Sequence, residues 1–176
     1  MPEPWSFRDA SAGDAQACAD IYAPYVTDTV ISFEAVPPSA AEMAERILSA
    51  QRRHVWLVGT DREQVIGYAY GGPYKPRAAY RWTCEVSVYV DSTRRRRGIG
   101  RALYEALFAR LAERGYRTLL AGMTLPNEAS VGLHRALGFA PVGTLSQVGW
   151  KHGNWHDVGL MQRAVADGPE PPAEPH

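Results

Sequence analysis

Residues 86–103 of this 176-residue chain read V-S-V-Y-V-D-S-T-R-R-R-R-G-I-G-R-A-L. The run predicts a β-strand that ends at Val90, a polar turn, and a helix that begins at Gly98. The first backbone N–H groups of a helix have no internal partner and lie at the positive end of the helix dipole. Glycines at 98 and 100 remove side chains that would block a ligand, and the arginines add charge and planar donors. The stretch therefore predicts a site for an anion such as a pyrophosphate.

Two common phosphate-binding motifs are excluded in this stretch. A Walker loop needs G-x-x-x-x-G-K-[ST], which the chain lacks. A dinucleotide fingerprint needs a third glycine at position 103, where this chain has Leu103. The anion site therefore belongs to another class.

The patterns around this stretch predict an α/β protein. Apolar residues at helical spacing predict a helix over about residues 13–27, and a Ser-Ala-Ala-Glu capping box at residues 39–42 opens a second helix. A third helix follows Gly98 and ends at Gly115, and a short fourth helix follows Asn127. Strands are predicted at residues 5–9, 54–60, 65–70, 82–90, 116–122, 139–148 and 155–161, with Gly-Gly-Pro at residues 71–73 breaking the third. The order β-α-α-β-β-β-α-β-α-β-β indicates a mixed sheet.

Composition restricts the function classes. Lys plus Arg and Asp plus Glu number 19 each, so the formal net charge is zero, which argues against a protein that coats nucleic acid or a membrane by bulk charge. No window approaches the roughly 18 apolar residues of a membrane span, and no signal peptide is visible. Two cysteines are too few for a disulfide scaffold. We expect one domain over residues 1–166, a disordered proline-rich tail over residues 167–176, and a cytoplasmic location.

The turn and a downstream segment resemble one superfamily. Arg95-x-x-Gly98-x-Gly100 resembles the [QR]-x-x-G-x-[GA] turn with which GNAT N-acetyltransferases bind the pyrophosphate of acetyl-CoA. Residues 127–139, N-E-A-S-V-G-L-H-R-A-L-G-F, resemble the second CoA motif of that superfamily. The resemblance covers residues of about 5–163. It implies acetyl-CoA as co-substrate and a GNAT-type mixed, mostly antiparallel central sheet flanked by helices.

Longer stretches are similar to a narrower group. Residues 72–83, Glu85 and residues 151–158 look like the phosphinothricin N-acetyltransferase group, whose relatives acetylate methionine sulfone and methionine sulfoximine. The resemblance implies a small amino-acid acceptor and a homodimer. Composition and residue spacing give no reason to expect a metal, nucleic acid or membrane partner.

Glu85 and the strand that carries it are the predicted centre of the chemistry. A half-buried carboxylate among apolar neighbours has a raised pKa and can act as a base, and the matching glutamate of the resembled group is the proposed general base. His134 stands where many superfamily members carry a tyrosine that protonates the leaving thiolate. The residues expected to contact acetyl-CoA are Val88, Tyr89, Val90, Arg95, Arg96, Arg97, Gly98, Ile99, Gly100, Arg101, Asn127 and Ser130.

The acceptor is expected to meet a basic and aromatic loop. Arginine pairs in a fork with carboxylate, phosphinate or sulfone oxygens, so an anionic amino acid suits this lining. The predicted acceptor contacts are Phe33, Lys75, Pro76, Arg77 and Tyr80.

Other interpretations of the same residues stay open from sequence. Glu85 can be a salt-bridge partner, and His134 a packed helix histidine. Lys75 and Arg77 can be plain loop charges, and the aromatic residues ordinary packing. The function alternatives are an acetyltransferase for another amine, such as an antibiotic or a peptide N-terminus, and a non-catalytic acyl-CoA-binding module.

Overall fold

The computed structural model describes residues 5–94, 98–168, 170 and 172–176. Seven strands and four α-helices make up this part of the chain. In chain order they are β1 Trp5–Asp9, α1 Ala15–Thr27, α2 Ala40–Gln51, β2 Trp56–Asp61, β3 Gln64–Pro73, β4 Thr83–Val90, α3 Ile99–Glu113, β5 Thr118–Leu125, α4 Glu128–Ala136, β6 Ala140–Lys151 and β7 Asn154–Ala164.

All seven strands form one sheet in the order β1-β2-β3-β4-β5-β7-β6. Every neighbouring pair is antiparallel except β4 and β5, which run parallel. The prediction of a mixed, mostly antiparallel sheet flanked by helices is confirmed. The parallel pair forms because α3 carries the chain back across the sheet between the two strands, as a crossover connection must.

The predicted break at residues 71–73 is wrong, because β3 continues through them and pairs with β4 as far as Pro73 and Cys84. A side chain at Gly71 would overlap the sulfur of Cys84. Glycine is therefore needed there for close packing of the strand rather than for a turn.

Alternating side chains give the sheet two cores. Helices α1 and α2 pack on one face, against residues such as Trp56 and Tyr68. Helices α3 and α4 pack on the other face, against residues such as Leu57 and Val86. Strand β6 stays exposed along most of its length, because it lies at the edge of the sheet.

Residues 173 and 174, in the segment after β7, contact the chain just before β4. The carbonyl of Ala173 accepts a hydrogen bond from the Trp82 indole at 2.8 Å, and Glu174 pairs with Arg81 at 2.7 Å. These contacts give the indole an acceptor and the guanidinium a counter-charge. Across the described residues, no helix combines the length and apolar character that a membrane crossing requires.

Candidate active site

Strands β4 and β5 separate in the middle of the sheet. They pair only where Thr83–Glu85 of β4 lie beside residues 118–120 of β5. Beyond Glu85, β5 stays paired with β7, whereas β4 stays paired with β3. A gap therefore opens along one side of residues 86–90.

The backbone of β4 presents alternate groups to this gap. The Asp91 amide donates to the Ile66 carbonyl on β3 at 2.9 Å. Because backbone groups alternate along a strand, the amides of Val90 and Val88 face away from β3. At the far end of the gap, the Tyr25 hydroxyl donates to the Val90 carbonyl at 2.7 Å and accepts from the Val90 amide at 3.4 Å. The Val88 amide is therefore the group of β4 best placed to meet a ligand in the gap.

Tyr89, a predicted acetyl-CoA contact, does not face the gap. By the same alternation its amide is turned toward β3. Its ring lies in a cluster with Tyr22, Tyr25 and Tyr68, at centroid distances of 4.8, 5.1 and 5.5 Å. The Tyr89 ring therefore packs against α1, a role that sequence alone did not reveal.

Helix α3 begins beside the gap. Gly98 caps the helix with φ +83°, a conformation that favours glycine. A side chain at Gly100 would contact Val90 and Val88 at 3.6 and 3.9 Å, so the glycine leaves the space between β4 and α3 empty. Ile99 is buried in the core and offers only its backbone.

The predicted arginine contacts are only partly placed. Arg95, Arg96 and Arg97 lie outside the described residues. Arg101 is exposed and pairs with Glu105, one turn along α3, at 2.9 Å. Arg94 pairs with Asp61 at 2.8 Å and so joins the turn to β2.

Helix α4 borders the same gap, and its predicted contacts serve the helix itself. The side-chain carbonyl of Asn127 caps α4 by accepting from the Ser130 amide at 3.1 Å. The His134 Nδ1 lies 2.7 Å from the Ser130 carbonyl, so it carries the proton and donates to it. The opposite atom, Nε2, is buried with no hydrogen-bond partner among the described residues.

The surroundings keep His134 neutral. Its ring is edge-on to Tyr104 and Phe139, with centroids 5.4 and 5.0 Å away. Burial lowers the pKa of the ring, although the bond to Ser130 opposes that shift. In this tautomer the free Nε2 is an acceptor and has no proton to give.

Glu85 lines a small pocket of about 240 Å³ between β4, β5 and β7. Its neighbours across the sheet are Gly72 on β3 and Leu120 on β5. The side chain is more exposed than predicted, because the space above Gly72 is open. Even so, loss of surrounding water raises the pKa of the Glu85 carboxyl.

Glu85 has no hydrogen bond or ion pair with another side chain of the described residues. Desolvation is the cause of its pKa shift. The arrangement therefore does not support the salt-bridge interpretation of this residue. It leaves a carboxylate whose oxygens can accept a proton.

A larger cavity of about 990 Å³ lies between α2, the end of β3 and the loop that precedes β4. The predicted acceptor contacts Lys75, Pro76, Arg77 and Tyr80 all line it. The Lys75 ammonium lies 5.2 and 5.7 Å from the ring centroids of Tyr74 and Tyr80. Both tyrosines and Thr83 also line the Glu85 pocket, so the two spaces share a wall.

Phe33 is the predicted acceptor contact that the structure does not bring to this cavity. Its ring lies over Gly149 of β6, where a side chain would overlap it, and its centroid is 6.3 Å from that of His156. The α1–α2 loop places Phe33 against the β6–β7 hairpin, so its contact with an acceptor stays a prediction.

Four polar residues that sequence reasoning missed stand beside the cavity. Tyr22, Arg46 and Tyr70 line it. The Arg46 guanidinium binds both carboxylate oxygens of Glu34, which holds the pKa of Glu34 below its ordinary value. The charges of Arg46, Glu85 and Glu34 all act on the Tyr70 hydroxyl, whose pKa burial raises. No motif marks these residues, since they come from separate elements.

The described residues hold no cluster of three His, Cys, Asp or Glu side chains suited to a metal ion. His152 and His156 each place Nε2 near a backbone carbonyl, of Thr29 at 3.3 Å and of Lys151 at 2.9 Å. The four-residue spacing of these two histidines places His152 in the turn between β6 and β7 and His156 on β7.

Comparison with known proteins covers nearly the whole chain. Residues 7–160 match the acetyltransferase (GNAT) domain family. The chain is 41% identical to the phosphinothricin N-acetyltransferase of Streptomyces viridochromogenes, over 91% of this chain and 87% of that enzyme. It is 36% identical to the L-methionine sulfoximine/L-methionine sulfone acetyltransferase of Pseudomonas paraeruginosa, over 89% of this chain and 92% of that enzyme.

A solved structure shares the fold at similar identity. The phosphinothricin acetyltransferase of Sinorhizobium meliloti, crystallised in complex with AcCoA, superimposes with a TM-score of 0.89 at 36% identity, over 97% of this chain and 96% of that one.

Proposed function

Because this chain belongs to the GNAT family of acetyltransferases, we propose that it acetylates the amine of a small anionic amino acid. Phosphinothricin, methionine sulfone and methionine sulfoximine are the acceptors we put first, since similar enzymes are named for them. The observation that carries the proposal is the shared wall between the pocket of unpaired Glu85 and the cavity lined by Lys75 and Arg77.

The gap beside β4 fits acetyl-CoA as co-substrate. Its Val88 amide suits the acetyl carbonyl, and Gly98 at the start of α3 leaves backbone donors for the pyrophosphate. Gly100 keeps the route between them free of side chains. We propose that the reaction needs no metal ion and takes place in the cytoplasm.

Glu85 is the proposed general base for direct transfer. It takes one proton from the acceptor ammonium, and the free amine attacks the thioester carbonyl. The Val88 amide stabilises the oxyanion as the C–N bond forms and the C–S bond breaks. A raised pKa brings the carboxylate closer to the amine in basicity, which favours the proton transfer.

His134 is not the proposed donor to the leaving thiolate. Its Nδ1 proton is held by the Ser130 carbonyl, and its lowered pKa keeps Nε2 unprotonated at neutral pH. The second proton of the acceptor nitrogen neutralises the thiolate instead. We assign His134 to packing of α4 against α3.

Lys75 and Arg77 are the proposed partners of the acidic groups of the acceptor. Neither has an ion-pair partner among the described residues, and both lie at the cavity rim. A polyamine would be repelled there. Substituting both by Gln should raise the KM for an anionic amino acid about tenfold or more, since each charge-assisted bond contributes about 1.5–3 kcal/mol. Arg110→Gln on α3, which does not line this cavity, is the control, and an unchanged KM in the double variant would contradict the assignment.

A second copy of the chain is the proposed partner. Val142, Leu145, Val148, Trp150 and Trp155 form an apolar surface on the β6–β7 hairpin, each at least 46% exposed. Such a patch is unusual for a monomer, and a two-fold dimer would cover it.

A thiol-release screen with acetyl-CoA tests the proposed function. The panel contains glutamate, methionine, methionine sulfone, methionine sulfoximine and phosphinothricin, with polyamines, an aminoglycoside and an N-terminal peptide as competitors. We expect turnover of the oxidised or phosphinate-bearing amino acids above unmodified methionine. Turnover confined to another amine would refute the acceptor class, and tight acetyl-CoA binding without any turnover would favour the non-catalytic module.

A further inference from the structure

The end of β6 reaches across to the α1–α2 loop through Lys151. The Lys151 ammonium donates to the carbonyls of Val26 and Ser32, each at 2.6 Å. Val26 belongs to the last turn of α1, where carbonyls lack helical partners and attract a cation. Desolvation lowers the pKa of the Lys151 ammonium, and the charge of Glu34 opposes that shift.

A second contact joins the same two segments independently of charge. The ring of Phe33 occupies the space that a side chain at Gly149 would need. Gly149 lies two residues before Lys151 on β6. The hairpin therefore contacts the loop at residues 28–38 through the Lys151 ammonium and the ring of Phe33, with His152 Nε2 also 3.3 Å from the Thr29 carbonyl.

The held loop supports the acceptor cavity. The Ser32 hydroxyl bonds the Tyr22 hydroxyl at 2.7 Å and accepts from the Glu34 amide at 3.1 Å. Glu34 in turn binds the Arg46 guanidinium on α2 through both oxygens. Tyr22 and Arg46 line the cavity, so a displacement of Ser32 would be passed on to its wall.

We propose that Lys151 is a positioning residue for the acceptor site, which it reaches through the α1–α2 loop. The proposal rests on the proposed function of the large cavity. Lys151 lies on the hairpin and touches neither the gap beside β4 nor Glu85. Its removal should therefore weaken the use of the amine and leave the use of acetyl-CoA unchanged.

The test compares two independent ways of releasing the loop. Lys151→Met removes the donor, whereas Gly149→Ala displaces Phe33 and keeps the lysine. We expect both to lower kcat/KM for the amine by about 10- to 100-fold, mainly through KM, as displaced binding groups do. The KM for acetyl-CoA should stay within about twofold of the wild-type value, because neither substitution alters the groups that bind acetyl-CoA.

Two matched variants control for general damage. Gly143→Ala makes the same change on the same strand, where a side chain meets nothing within 4 Å, and it should behave as wild type. Lys151→Arg keeps a cation with several donors and should restore most of the lost amine affinity. Hydrogen–deuterium exchange of residues 28–38 needs no acceptor, and it should speed up in Lys151→Met and Gly149→Ala only.

The outcomes separate this proposal from the proposed function. Faster exchange with a selective rise in the amine KM supports positioning. Unchanged exchange, or an equal rise in both KM values, overturns it, and Gly149→Ala decides the case if Lys151→Met does not fold. If the variants selectively raise the KM for an amine other than those proposed, the result would refute the acceptor class and still support the role of Lys151.

Discussion

Glu85 combines three properties that a general base needs, and each has a local cause. Strand alternation turns its side chain to the same face as the neighbouring Gly72, which leaves open space beside it. Desolvation raises the pKa of its carboxyl. No cation among the described side chains neutralises it, so the carboxylate remains available to a substrate ammonium.

Substituting Glu85→Gln should therefore lower kcat by about 10²- to 10⁴-fold, the usual contribution of a general base. The wild-type rate should rise with pH through a midpoint above the ordinary 4.5 of a glutamate, because the base works deprotonated and its pKa is raised. The rate of thiol release as a function of pH, measured for both proteins, tests these expectations. The affinity for acetyl-CoA, measured by calorimetry, is the control. A Glu85→Gln enzyme with the full wild-type rate would disprove the role. The variant should not be less stable at pH 7, since it removes a desolvated charge.

At the scale of elements, the gap between β4 and β5 and the start of α3 act together. The parallel pairing of β4 with β5 stops at Glu85, and the next helix begins with Gly98 and Gly100 beside the exposed strand edge. A side chain at Gly98 and a side chain at Gly100 would disturb the start of α3 for different reasons. Gly98 needs its positive φ, whereas Gly100 keeps space empty.

Gly100→Val should raise the KM for acetyl-CoA about tenfold or more, because a branched side chain at this point fills the space next to Val88 and Val90 and excludes well-packed ligand atoms. The KM for the amine should change little. Initial-rate kinetics with each substrate varied in turn measure the difference. Gly132→Val on α4, where a side chain meets nothing within 4 Å, is the matched control. Equal effects of the two substitutions on the acetyl-CoA KM would argue against this route for the co-substrate.

At the scale of the whole molecule, the exposed hairpin predicts association. Val148→Asp places a charge in the apolar surface of β6 and should shift a dimer to monomer in sedimentation velocity, since an unpaired charge disfavours a desolvated interface. Val36→Asp makes the same change at an exposed valine outside the hairpin and should leave the dimer intact. A wild-type protein that sediments as a monomer at micromolar concentration would refute the dimer.

Two buried histidines predict how stability of the whole fold depends on pH. Burial lowers the pKa of His54 and of His134 below the ordinary 6.5. Between those lowered values and 6.5 the unfolded chain binds more protons than the folded one, so the free energy of unfolding falls as pH drops below about 6.5. Urea unfolding at pH 8, 7, 6 and 5 measures the slope. His54→Phe, which keeps an aromatic ring stacked near Tyr116, should flatten it. Stability that is constant over this range would contradict the burial of both rings.

An ion pair near the start of α1 adds a contribution to stability that is lost at lower pH. Arg8 binds both oxygens of Asp14, which lowers the pKa of Asp14 to about 2. Because the folded carboxyl holds its charge more strongly than the unfolded one, this contribution is present above about pH 4 and is lost as pH falls toward 2. It lies below the histidine range and does not obscure it.

Short-range sequence patterns correctly predicted several helix ends. The capping box at Ser39 and Glu42 is present, with the Glu42 amide donating to Ser39 at 3.2 Å. Asn127 caps α4 as expected from its residue type. Gly98, the predicted start of the third helix, is the N-cap of α3, which begins at Ile99. These features depend on neighbours a few residues apart, which is why periodicity and capping rules find them.

By itself, the sequence determined the element order, the mixed sheet, the glycine turn and Glu85, because each of these is encoded by adjacent residues or by strand and helix periodicity. Only the tertiary structure decided that Tyr89 packs against α1, that Phe33 lies over Gly149, and that Tyr22 and Arg46 line the large cavity. Lys151 and Ser32, whose contact holds that wall, lie 119 residues apart. Such a contact exists only after the sheet has brought β6 beside the α1–α2 loop, so no local rule of spacing or propensity encodes it.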